Sequence, residues 1–171
     1  MTNRRVVYVM PPRIGPVSQF ISILPEPLSS FWQFTFISSL RKFTDNLSIK
    51  PHPESPVSIN DFYRSELDIK IINGKFEEVI KPHDICIFDY QGTTTFGHAV
   101  RNQNPIILID FNTHPLREKD SEIRSRRVFT IQGHFNKKNI PTINFTELKK
   151  GLDECLRLND IQFQKLILGI K

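Results

Sequence analysis

The sequence predicts an α/β fold in which a parallel β-sheet carries helices on both faces. Three observations predict it. Several short runs are apolar without alternation, Val6 to Met10, Ile85 to Phe88 and Pro105 to Asp110, which is apolar up to its final aspartate, above all; this is the pattern of strands buried on both sides. Helical stripes fall between such runs, as at Trp32, Phe36, Leu40 and Phe43 with Ile37 beside them. Proline, glycine and asparagine punctuate the alternation, so strand and helix follow one another in turn and the crossovers are right-handed.

The chain has 171 residues, 39% of them hydrophobic, which suffices for one ordinary core and one domain. That domain is expected over residues 1–158, with 159–171 as an apolar C-terminal tail or docking helix carrying Ile161, Phe163, Leu166, Ile167 and Leu168. The net charge of +5 permits an anionic partner. The basic residues are spread along the chain, however, and no nucleic-acid module or clustered basic-aromatic surface is recognisable, so specific nucleic-acid binding is not expected. The densest basic cluster, Arg124, Arg126 and Arg127, fits a solvated helix face as well as a phosphate site.

Cys86 and Cys155 have no paired spacing and are expected to be core thiols in a reducing compartment. No metal-ligand cluster has a recognisable spacing, so no metal is expected. No apolar run approaches the ~20 residues of a membrane span, and the opening MTNRR is unlike a signal peptide. A cytoplasmic location is the expectation.

The remaining elements are justified in order. A helix is expected from Ser29 to Phe43 and a short strand from Leu47 to Lys50. Ser58, with Asp61 three residues on, opens a helix to Leu67. Ile69 to Ile72 makes a third strand that stops at Asn73-Gly74, and Lys75 to Lys81 a short helix before Pro82. After Asp110 a turn is expected at Asn112-Thr113-His114-Pro115, then a charged, partly helical segment to Arg127. Val128 to Ile131 is the last strand, Gly133 to Asn139 a polar loop, and Thr146 the cap of a final helix presenting Leu148, Leu152, Cys155 and Leu156.

Function is expected where several of these strands end. Ile85 to Thr95 (ICIFDYQGTTT) reads as strand, tight turn and helix start, where unpaired amides, the helix dipole and small hydroxyls suit a phosphate. Taken alone, the stretch is explained better by a threonine that merely caps the helix. Lys50-Pro51-His52-Pro53 ends another strand, and its prolines hold Lys50 and His52 near extended geometry, so the imidazole has little freedom and can meet a phosphate oxygen. A turn histidine without a role is the plainer alternative. Arg13, Gly15, Lys50, His52, Asp89, Gly92, Thr93 and Thr94 all follow strands, and in open α/β sheets ligands sit beyond the carboxyl ends. His114 and Arg117 lie in a later loop of the same kind. No G-x-G-x-x-G follows the first strand, which argues against a dinucleotide-dependent oxidoreductase.

The run LSIKPHPES (Leu47 to Ser55), the hydroxyl residues after DYQG and the helix leading to NPIILID (Asn104 to Asp110) together resemble the C-terminal donor-binding half of GT-B glycosyltransferases. The nearest groups build bacterial capsule and surface carbohydrate and carry a His-Pro motif and a Ser/Thr pair. The resemblance implies a Rossmann-like domain, a single half of a GT-B architecture, that binds a nucleotide-activated sugar or polyol donor as substrate, with neither cofactor nor metal. It places His52 as the catalytic contact to the departing phosphate and the pair Thr93 and Thr94 beside it, while the strand-end residues Lys50, Gly92, Arg13 and Gly15, with the neighbouring Thr95, complete the expected donor and phosphate site. Where the family often has an acidic residue to hold the ribose, this chain has Gly97-His98, leaving Asp89, His98, His114 and Arg117 as the ribose or sugar candidates. The acceptor-binding domain is not among these residues, so a partner chain, a homodimer or a longer gene is expected to supply it, with work at the inner face of the membrane. A non-catalytic nucleotide- or protein-binding module with the same fold is the alternative.

Overall fold

The computed structural model describes residues 4–11, 24–53, 55, 57–112, 118–158, 163 and 165. The chain opens with β1 (Val6–Val9), α1 (Glu26–Leu40), β2 (Leu47–Lys50), α2 (Val57–Leu67) and β3 (Lys70–Ile71). It continues through α3 (Phe76–Val79), β4 (Ile85–Phe88), α4 (Thr94–Arg101), β5 (Ile106–Asp110), α5 (Glu118–Ser125) and β6 (Phe129–Gln132). A two-stranded ribbon, β7 (His134–Phe135) and β8 (Pro141–Thr142), leads to α6 (Phe145–Glu154) and a 3-10 turn at Cys155–Arg157.

Six strands form one sheet in the order β3-β2-β1-β4-β5-β6, every neighbouring pair parallel. This is a Rossmann-like arrangement, in which the winding starts at the centre, runs out through β2 and β3, and returns to the other side of β1 with β4. The pleat sorts the side chains into two cores. Val6 and Tyr8, Ile49, Ile85 and Ile87, and Ile107 and Ile109 meet Trp32, Phe36, Ile37 and Leu40 of α1, Tyr63 and Leu67 of α2, and Leu148 and Leu152 of α6. Val7 and Val9, Cys86 and Phe88, and Ile106 and Leu108 meet Phe76 of α3 and Phe96, Ala99 and Val100 of α4, with Ile123 of α5 packed against them. Runs without polar interruption are therefore required in the central strands, since both pleat faces are covered.

The edge opposite the strands' carboxyl ends is locked by polar groups. Asp84 is buried beside Arg5, whose Nε donates to it at 3.1 Å, and it accepts the Lys81 amide at 2.6 Å. The Arg124, Arg126 and Arg127 cluster divides: Arg127 is buried and donates to the Asn104 carbonyl at 2.7 Å, Arg126 stays outside on Glu122, and Arg124 turns inward. A single solvated face is thus the wrong description.

Three local expectations are corrected. The polar loop of Gly133 to Asn139 contains β7, paired antiparallel with β8 because Asn136 turns the chain back, its Oδ1 accepting the Lys138 and Ile140 amides. Helix α6 is capped by Asn144, not Thr146: the Asn144 Oδ1 accepts the Thr146 amide at 2.9 Å. Helix α1 starts at Glu26, earlier than its apolar stripe, because proline in the first turn needs no amide partner. Of the expected tail, Phe163 is described, buried with its ring centroid 6.5 Å from Phe96.

Candidate functional site

A parallel sheet places all its carboxyl ends on one rim, and strand order reverses here between β1 and β4. Val9 is level with Lys50 on one side and with Phe88 on the other. The chains leaving β2 and β4 therefore depart from the same edge, two strand spacings or roughly 10 Å apart.

On the β2 side the rim opens into a cavity of about 420 Å³ lined by Lys50, His52, Ser55, Asn73, Gly74 and Lys75, with Pro51, Pro53 and Ile72 as its apolar part. Lys50 is only 5% exposed, and its Nζ donates to the Pro51 carbonyl at 3.1 Å. Burial lowers its pKa, and the ammonium has three donors to place, so an anion in the cavity would relieve it. Gly74 adopts φ 103°, a conformation open to glycine, and this bends the chain from β3 back around the cavity.

On the β4 side Thr93 is the N-cap of α4, its hydroxyl oxygen accepting the Phe96 amide at 3.2 Å and lying 2.9 Å from the Thr95 hydroxyl. The local alternative of a capping threonine is thus realised at Thr93, whereas Thr94 is exposed. Gly92 precedes them beneath the Tyr90 ring, which occupies the space a Cβ would need.

Asp89 lies under this turn, 8% exposed. Its Oδ2 accepts the Tyr8 hydroxyl at 2.5 Å and the Trp32 indole N–H at 3.0 Å, while Oδ1 has no partner among the described residues. Burial raises the carboxyl pKa to about 6, against the hydrogen bonds from Tyr8, Trp32 and the backbone, which favour the ionised form. Trp32 is fixed in turn between Phe36, stacked at 5.0 Å, and Phe111, edge-on at 5.0 Å.

The next strand end carries Asp110, whose Oδ1 accepts the Asn112 amide at 2.8 Å and whose Oδ2 accepts Arg124 at 2.9 Å. Arg124 also donates to the Gln91 side chain at 2.7 Å. A cavity of about 10 Å³, room for one water, lies against Asp89, Gln91 and Asp110. His98 sits further along α4, with Nε2 2.6 Å from Glu77 of α3 and Nδ1 against Arg101.

Of the residues singled out from sequence, Lys50 and His52 share one cavity. Gly92, Thr93, Thr94 and Thr95 share the turn after β4 and do not line that cavity. Arg13, Gly15, His114 and Arg117 lie outside the described residues. Ser55, Asn73 and Lys75 join the cavity without having been marked as site residues, as do Tyr8 and Trp32 the turn, while Arg124 stood out only as a member of a basic cluster. For Asn73-Gly74 the signal was the strand-ending turn itself.

No three of the described His, Cys, Asp or Glu side chains are grouped so as to hold a metal ion. Among the described residues, no helix is long and apolar enough to cross a membrane. The chain matches no family model, and no curated protein or solved structure is significantly similar to it. Fold and rim define a Rossmann-like α/β domain, an architecture consistent with nucleotide or cofactor binding in general.

Proposed function

We propose that the domain binds a nucleotide-activated sugar or polyol donor as one half of a GT-B-type glycosyltransferase for surface polysaccharide synthesis. The observation that carries this reading is the 420 Å³ cavity at the carboxyl rim, with buried Lys50 and proline-held His52 in one wall and Lys75 in the other. Three basic side chains around one hollow at the carboxyl edge of a parallel sheet suit a phosphate-bearing ligand. The LSIKPHPES and DYQGTTT motifs, which gave the resemblance, end two strands that flank β1 on this same edge.

In this reading Lys50 and His52 meet the charge that develops on the departing nucleotide phosphate, and the N-terminus of α4 adds its dipole from the far side of β1. The acceptor and the base that activates it come from a second domain, from a partner chain or from a second copy, and the work takes place in the cytoplasm, at the inner face of the membrane. Calorimetry with CMP, CDP, UDP and their sugar or polyol conjugates tests the reading. His52→Ala should weaken the bound nucleotide by about 1–3 kcal/mol, the value of a charge-assisted hydrogen bond, with no change in thermal unfolding. Unchanged affinity removes His52 from the site, and no binding by the wild type leaves a module that keeps the fold without the ligand.

A further inference from the structure

The 420 Å³ cavity is lined by two lysines and a histidine, and none of its described lining residues is an aspartate, a glutamate, a phenylalanine, a tyrosine or a tryptophan. A ribose is commonly held by a carboxylate that accepts its hydroxyls, and a base by a flat ring on which it stacks. Donors, by contrast, are in excess. Lys50 is 5% exposed, and the Pro51 carbonyl is the one acceptor of its Nζ, so two N–H bonds of a buried ammonium have no acceptor among the described residues. The Ser55 Oγ is closed to solvent and also lacks a hydrogen-bond partner among the described residues. The chain that brings Ser55 to this wall is folded back by its own amide, which donates to the His52 carbonyl at 3.0 Å.

The second wall is tied to the first, because the Ile72 amide donates to the Ile49 carbonyl at 2.8 Å, and Gly74 then turns the chain to Lys75. Lys75 Nζ lies 3.7 Å from Glu78, but the two side chains are 80% and 64% exposed, and such a surface pair holds its members loosely. Glu77, whose charge also reaches Lys50, is engaged by His98 Nε2 at 2.6 Å. One hollow thus has a fixed ammonium in its wall and a second on a long, mobile stem. A phosphodiester carries a single negative charge and would satisfy one of them. Two bridged phosphoryl groups carry a charge for each.

We propose that this cavity takes a diphosphate, so that the donor is linked to a nucleoside diphosphate and not to a nucleoside monophosphate. Lys50 and His52, with the Ser55 hydroxyl as a neutral donor, hold one phosphoryl group, and Lys75 closes on the other. The proposal rests on the donor reading above and narrows its substrate class.

Calorimetry at fixed ionic strength tests it by comparing CDP with CMP and UDP with UMP, pairs that differ by one phosphoryl group, on the wild type, Lys50→Met, Lys75→Gln and Lys149→Gln. The wild type should bind each diphosphate at least about tenfold tighter than its monophosphate, the scale of one charge-assisted contact, and inorganic pyrophosphate should displace CDP. Lys75→Gln should bring the CDP-to-CMP ratio down towards unity by weakening CDP alone. Lys149→Gln removes the same charge from an exposed position on α6 and should keep the wild-type ratio, which separates a local contact from net charge. Lys50→Met should weaken CDP about tenfold or more. Lys75 is exposed, so Lys75→Gln carries the test if Lys50→Met does not fold. Equal binding of CDP and CMP by the wild type, or an unchanged ratio in Lys75→Gln, overturns the proposal and leaves the donor reading standing. Failure of pyrophosphate to displace bound CDP overturns it by placing the diphosphate outside the cavity. Binding of pyrophosphate without any of the nucleotides makes the cavity a bare anion site and overturns both readings, as does no binding at all.

Discussion

Replacing Asp89 by asparagine is expected to stabilise the protein at neutral pH and to remove one component of its pH dependence. In the folded protein the Asp89 carboxyl is pushed up to about 6 by burial, against 3.8 for an ordinary aspartate. The folded state therefore keeps this proton up to about pH 6, whereas the unfolded chain releases it near pH 4. Stability falls as pH rises through that window and is level above it. At about 1.4 kcal/mol per pH unit, the difference amounts to about 3 kcal/mol withheld from the folded state at pH 7.5. Asparagine retains an oxygen for Tyr8 and Trp32 but accepts more weakly than a carboxylate, so a net gain of about 1–2 kcal/mol is expected. Urea unfolding between pH 4 and 7.5, followed by the fluorescence of Trp32, the single tryptophan and a direct partner of Asp89, measures it. If Asp89→Asn is no more stable at pH 7.5 and keeps the wild-type fall between pH 4 and 6, Asp89 is not the group that titrates there.

Two further outcomes follow from packing. Gly133→Ala would put a methyl 2.5 Å from the Phe111 ring, which is already pinned edge-on to Trp32, so it should cost about 1–3 kcal/mol in urea unfolding, whereas an alanine in open space would be neutral. Burial holds the thiol of Cys155 up at about 12 and raises that of Cys86 as well. Neither should react with a disulfide reagent at pH 8 until the protein unfolds; prompt labelling of the native protein would contradict the burial of both.

The sheet was legible because its strands are local objects. Ile85–Phe88 carries its whole signal in four consecutive apolar residues closed by a turn, and Leu47–Lys50 in an apolar-polar alternation stopped by Pro51, and the structure has strands with those bounds. The β7-β8 ribbon has no such signal: each strand has two residues, one of them a proline, and the pairing depends on Asn136 accepting backbone amides. At the rim, proline geometry marked Lys50 and His52, which do share a cavity. The support of the turn was not legible, since Tyr8 and Asp89 are 81 residues apart and Arg124 and Gln91 are 33 apart. An arginine in a charged helix looks solvated until the fold shows which carboxylate it faces.

The brevity of β3 has a bearing on how the protein keeps to itself. A sheet flank with a long free ladder invites another chain to extend it, the first step toward fibrils. Here the outermost strand on that flank offers two residues, Lys70–Ile71, before Gly74 curls the backbone away. A stranger docking alongside would find almost no hydrogen bonds to form, and the bend at Gly74, which also lines the rim cavity, thereby shields the flank from such pairing.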